Sequence, residues 1–114
     1  YNGFPRFIDD EKEDRHARPS KYDWTEHAER NAIYNAARMG VALKGGTMYV
    51  PHVPCADCAR AIIQVGLNRV VADAASMGGD FAERWSEAAQ ITREMLAEAD
   101  IPLDLIEVVE EEDA

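Results

Sequence analysis

The chain has 114 residues, 46% of them hydrophobic, and sets 12 Lys and Arg against 22 Asp and Glu for a formal charge of −10. That length supports one compact domain with a core and excludes two, so residues 1–114 are read as a single domain. The negative field excludes a nucleic-acid polymer as the expected partner, while a local patch suffices to hold a mononucleotide. No apolar run of about 18 residues is available to cross a bilayer, and no charged start leads into an apolar leader segment. The expected setting is therefore cytoplasmic, with no membrane partner.

In chain order, "YNGFPRF" reads as a turn, because Asn2-Gly3 favours positive φ and Pro5 stiffens the exit. A fold rarely starts in mid-turn, so sequence upstream of Tyr1 is expected. Residues 8–23, "IDDEKEDRHARPSKYD", lack apolar periodicity and divide into an acidic half (9–14) and a basic half (15–21). They read as a loop of roughly 15 residues, either functional or a solvated connector. Asp23 then offers an N-cap with Glu26 three residues on, and Ala28, Ala32, Ala36 and Met39 recur at helical spacing until Gly40.

Met48, Tyr49 and Val50, between Gly45-Gly46 and Pro51, predict a strand. A helix is expected from Cys55 or Ala56 to Val65, ended by Gly66, and "NRVVAD" reads as a buried, parallel strand. A longer amphipathic helix over 81–99 places Trp85, Ala88, Ala89, Thr92, Met95 and Leu96 on one side. "LDLIEVV" is the last strand, and residues 110–113 form an acidic tail. Strands alternating with helices imply right-handed crossovers and an α/β layer architecture.

Metal-ligating side chains of the soft or borderline kind are few: His16, His27, His52, Cys55 and Cys58. Two cysteines in a C-x-x-C pair do not build a secreted disulfide framework, and in a reducing compartment such a pair is a metal or redox element. Cys55 and Cys58 sit three apart at a helix start announced by Pro54, on one face, where the helix dipole favours thiolates. A catalytic zinc takes three protein ligands from Cys and His, with the fourth position left to water. His27 supplies the third. Glu29 lies two positions on, a spacing that does not align both side chains on one helix face, so it suits the water better than the metal. Zinc lowers the pKa of a water to about 7, and a neighbouring carboxylate can move its proton to a leaving group.

Two other readings stay open at this level. Cys55 and Cys58 could form a redox dithiol, which leaves His27 and Glu29 without a reason. His52 could close a Cys₂His₂ shell, making the zinc structural and the protein a non-catalytic module, against the stiffness of the 51–54 segment. His16 reads as a loop histidine. Trp24, Tyr34, Tyr49 and Trp85 read as packing residues, Tyr49 also as a candidate to line the pocket.

H-x-E followed by P-C-x-x-C is the known signature of zinc deaminases, written here as "HAE" (27–29) and "PCADC" (54–58). Together with "YNGFPR", "HAERNAIYNAAR" and "TMYVPHVPCADCARAIIQVGLNRVV", it resembles the deoxycytidylate deaminase branch of the cytidine deaminase superfamily, over most of residues 1–73. The resemblance implies a three-layer α/β/α fold with a mixed central sheet and hydrolysis of dCMP to dUMP with release of ammonia. It implies one zinc per chain on His27, Cys55 and Cys58, and Glu29 as the proton carrier between water, ring N3 and the departing amine. It further implies a donor from the Ala28 N–H to the base carbonyl, a sugar contact from Asn2, and assembly into homo-oligomers, often hexamers. Other superfamily members act on cytosine, cytidine or guanine, and the sequence does not separate these small substrates.

The chain departs from that branch in two ways. The helix and hairpin that the branch carries before the "YNG" turn, with a phosphate-binding serine and arginine, are not found within residues 1–114, and if the protein truly lacks them the phosphate must be held elsewhere. Phosphate recognition would then fall to Arg6, Arg15, Arg18 or Lys21, with His52 as a rim candidate, or else these are surface charges. Phe7 follows Arg6 where the branch often has glycine, which leaves control by dCTP open.

Overall fold

The computed structural model describes residues 3–77 and 80–107, with the side chains of 76–77, 80–86 and 88 left out of the description. The chain divides into two compact units, Tyr1–Val41 and Ala42–Ala114.

In the first unit, α1 (Lys21–Trp24) is a single turn and α2 (Ala28–Met39) is the main helix. Asp23 does not cap α2; it lies inside α1. The reason is Thr25, extended at φ −113° and ψ 154°, whose hydroxyl donates to the Lys21 carbonyl at 2.7 Å and closes that turn. Glu26 then pairs antiparallel with Gly3, and His27, at φ −68° and ψ 150°, becomes the N-cap of α2. The expected stop at Gly40 holds. Gly40 adopts φ 72°, with its own N–H on Ala37 O at 3.2 Å and that of Val41 on Ala36 O at 2.8 Å, a Schellman closure.

The buried residue of α2 is Ile33, whereas Met39, which recurs at helical spacing with the alanines, is 74% exposed. Before α1, Phe7 takes positive φ (71°), at the third position of a turn closed by Ile8 N–H on Pro5 O at 3.3 Å, while Asn2 lies outside the described residues. Residues 8–23 are less loop-like than their composition suggests, with a 3₁₀ turn at Glu13–His16. There the basic half folds onto the carbonyls of the acidic half: Arg15 Nη1 donates to Asp9 O at 3.0 Å, and His16 Nε2 lies 2.6 Å from Asp10 O. The Arg15 guanidinium sits 3.8 Å over the Trp24 ring, and Phe4 meets His16 edge-on at 5.0 Å.

The second unit contains β1 (Thr47–Val50), α3 (Ala56–Gln64), β2 (Arg69–Asp73), α4 (Asp80–Glu98) and β3 (Leu103–Ile106). The strands form a sheet in the order β1-β2-β3, parallel throughout, with Tyr49 opposite Val71 and Val71 opposite Asp104. Each parallel step is bridged by a helix, as the strand–helix alternation predicts. The central strand buries Val70, Val71 and Ala72 in succession, the pattern of a strand covered on both faces. Also buried among the described residues are Cys58, Ala59 and Ile62 of α3, Leu67, the α4 residues Ala89, Thr92 and Leu96, and Ile101 beside β3. Gly45 and Gly66 both take positive φ, which lets Gly45 N–H reach Gly66 O at 2.8 Å and fixes the entry to β1 against the exit of α3.

Trp85 and Ala88, expected on the buried side of α4, and residues 108–113 lie outside what the structure describes. No described helix is long and apolar enough to cross a membrane.

Candidate metal centre and active site

His27, Ala28 and Glu29 occupy the start of α2. As N-cap, His27 contributes its carbonyl to the first helical hydrogen bond, from Asn31 N–H at 2.8 Å, while its own N–H donates to Glu26 Oε1 at 3.2 Å. That carboxylate is held in turn by Arg30 Nε at 2.6 Å. Ala28 and Glu29 follow in the first turn, both half-buried, so a carboxylate stands at the positive end of the helix.

Cys55 and Cys58 repeat the arrangement on α3. Cys55 is the N-cap at φ −71° and ψ 170°, its carbonyl accepting from Ala59 N–H at 2.8 Å. Cys58, within the first turn, is fully buried, and both residues are thiols, not a disulfide. Pro54 fits this start because its ring disfavours helical backbone in the residue before it and donates no N–H. His27 thus caps the main helix of the first unit, and Cys55 and Cys58 open a helix of the second. Zinc takes thiolate and imidazole donors together. The donor set therefore fits zinc in its chemistry. His52 is exposed.

Of the other expected residues, Tyr49 is 71% exposed. Asn2 lies outside the described residues. Arg15 is engaged within its own loop by Asp9 and Trp24. Arg6 lines a cavity of about 600 Å³ with Phe4, Asn31, Asn35 and Arg38, and its Nη2 donates to Asn35 Oδ1 at 2.5 Å. Sequence reasoning singled out Arg6, and Asn31 and Asn35 as supporting partners or plain surface, but missed Arg38. The spacing of Asn35 and Arg38 from Asn31 follows one helix face, a signal that any solvated polar face also gives.

Residues 13–74 match the cytidine and deoxycytidylate deaminase zinc-binding region. An uncharacterized deaminase from the luxG 3′ region of Aliivibrio fischeri is 37% identical over 111 residues, covering 93% of this chain and 71% of that protein. The deoxycytidylate deaminase of Enterobacteria phage T2 is 56% identical over 45 residues, 40% of this chain but 24% of the phage protein. Among solved structures, the dCMP deaminase of cyanophage S-TIM5 in complex with dCMP and dUMP superposes with a TM-score of 0.64 at 22% identity, covering 92% of this chain and 68% of that one. The likeness shows that the fold is that of a dCMP deaminase. The chain belongs to the cytidine and deoxycytidylate deaminase zinc-binding family, and it is an enzyme of the deaminase type.

Proposed function

We propose that the protein hydrolyses dCMP to dUMP and ammonia, as one deaminase-like zinc domain acting in pyrimidine deoxynucleotide metabolism. The observation that carries this reading is the placing of His27 and Glu29 at the start of α2, and of Cys55 and Cys58, both free thiols, at the start of α3. Bound on those three residues, zinc would supply Lewis acidity and lower the pKa of a water to about 7.

The chain's own residues carry the rest. Glu29 takes a proton from the attacking water and delivers it to N3 of the cytosine ring. As water oxygen bonds to C4, the ring gains the electron pair that N3 then holds as N–H. Glu29 next takes the proton of the C4 hydroxyl and passes it to the exocyclic amine, the C4–N bond breaks, and ammonia leaves as the hydroxyl oxygen becomes the carbonyl of uracil. The N–H of Ala28, in the first turn of α2, orients the base through its carbonyl. Asn2 contacts the sugar, and Arg6, steadied by Asn35, is the phosphate contact. A homo-oligomer is expected from the resemblance.

The phage relative named for deoxycytidylate supports this substrate, although the chain spans 24% of it. The test is ammonia release from dCMP, CMP, deoxycytidine, cytosine and guanine. Turnover of dCMP well above the rest supports the proposal; equal turnover of deoxycytidine overturns the nucleotide assignment, and release from guanine alone moves the enzyme to another branch of the superfamily.

A further inference from the structure

Thr92 is the buried polar residue of the described core, with 0% of its surface exposed. It sits in the middle of α4 between the buried Ala89 and Leu96, a place where β-branched threonine is a weaker helix former than alanine. Its hydroxyl donates to the carbonyl of Pro54, 38 residues away, at 2.7 Å. Pro54 is itself buried. As the residue before the N-cap, its carbonyl lies outside the α3 hydrogen-bond ladder, which begins with the carbonyl of Cys55.

We propose that Thr92 is a positioning residue for the metal site, setting the Cys55 and Cys58 thiols through the Pro54 carbonyl. The inference rests on the zinc reading above. The Pro54 carbonyl and the Cys55 N and Cα share one rigid peptide plane, so fixing that oxygen fixes the plane from which Cys55 departs. One torsion, φ of Cys55, then places Cys55 Cβ. Cys58 is held independently, being fully buried in the first turn of α3. Thr92 thus holds the more exposed cysteine in register with the buried one, before any metal arrives. Removing the hydroxyl while keeping the bulk leaves a buried carbonyl against a methyl group, and the peptide plane rotates to find another donor.

The test is zinc affinity of the full chain by chelator competition, for wild type, Thr92→Val, Thr92→Ala and Thr92→Ser. The expected result is about 10- to 100-fold weaker zinc binding in the Val and Ala variants, the range usual for partners that orient metal ligands. Thr92→Ser keeps the hydroxyl and restores wild-type affinity. At saturating cobalt(II), the thiolate-to-metal absorption shifts in the Val variant and not in the Ser variant, a readout that loss of general stability does not move. Should Thr92→Val not fold, the Ala and Ser pair carries the same comparison. Equal affinity in all four proteins, or equal weakening in Ser and Ala, overturns the role of the hydroxyl. A wild-type chain that takes up no zinc overturns the metal reading itself, and the two failures are thereby distinguished.

Discussion

Gly3 and Glu26 exchange both of their backbone hydrogen bonds, Gly3 N–H donating to Glu26 O at 3.0 Å and Glu26 N–H to Gly3 O at 2.8 Å. This two-residue bridge keeps the chain extended up to His27, so that α2 starts at Ala28 and not earlier. It also ties Gly3 to the residue beside the expected metal ligand. Gly3 is buried, so its N–H has no water to fall back on. Replacing Gly3 by Pro removes that donor, and the expected cost is about 1–3 kcal/mol of unfolding free energy, read by urea titration. An unchanged midpoint would show that the bridge does not hold the turn.

Glu29 is expected to be dispensable for the metal and indispensable for the reaction. Glu29→Gln keeps the shape and loses the proton acceptor. Zinc content is expected to stay at one ion per chain while the deamination rate falls by about 10²- to 10⁴-fold, the usual contribution of a positioned acid–base group. Retained activity in a zinc-loaded Gln variant would remove Glu29 from the mechanism.

Metal removal has a predictable sign. Thiolates and imidazole gathered on two helix starts bind zinc in the folded chain far better than in the unfolded one, so zinc stabilises by mass action. At a free concentration 100 times the dissociation constant the gain is about 2.7 kcal/mol. Dialysis against a chelator is expected to lower the thermal midpoint and abolish ammonia release, and zinc is expected to restore both. Cys58→Ser is expected to show the lowered midpoint with no response to zinc. A midpoint indifferent to zinc in the wild type would contradict the assigned ligands.

The parts of this molecule legible in the sequence are those set by short-range chemistry or by continuous burial. Pro54 before Cys55 announces a helix start whatever lies around it, Gly40 ends α2 through its positive φ, and the run Val70 to Ala72 is apolar because β2 is central. Illegible features depend on partners distant in sequence. Asp23 is an acceptable N-cap, but Thr25 closes the α1 turn and Gly3 pulls Glu26 into an extended bridge, so the cap falls to His27. Positive φ at Phe7 carries no signal in the residue type, and nothing local marks Gly3 as the partner of Glu26. The bond from Thr92 to Pro54 is invisible in a sequence where Thr92 reads only as one more position on the inner side of a helix.

The same limit shaped the reading of the arginines, and it leads to the sharpest test of the substrate. Arg6, Arg15 and Arg18 look alike in composition, but Arg15 spends its guanidinium on Asp9 O and the Trp24 ring, whereas Arg6 faces a cavity shared with Asn35 and Arg38. If Arg6 meets the phosphate, Arg6→Ala removes a charge-assisted hydrogen bond worth about 1.5–3 kcal/mol. The expected outcome is a fall of about 10- to 100-fold in kcat/KM for dCMP, carried by KM, with turnover of deoxycytidine unchanged because it has no phosphate to lose. Arg15→Ala is expected to leave the dCMP to deoxycytidine ratio where it was and to lower stability through its loop. Parallel losses on both substrates in Arg6→Ala would mean that Arg6 supports the fold near Asn35, and the phosphate contact would then be sought among the other basic groups of residues 15–38.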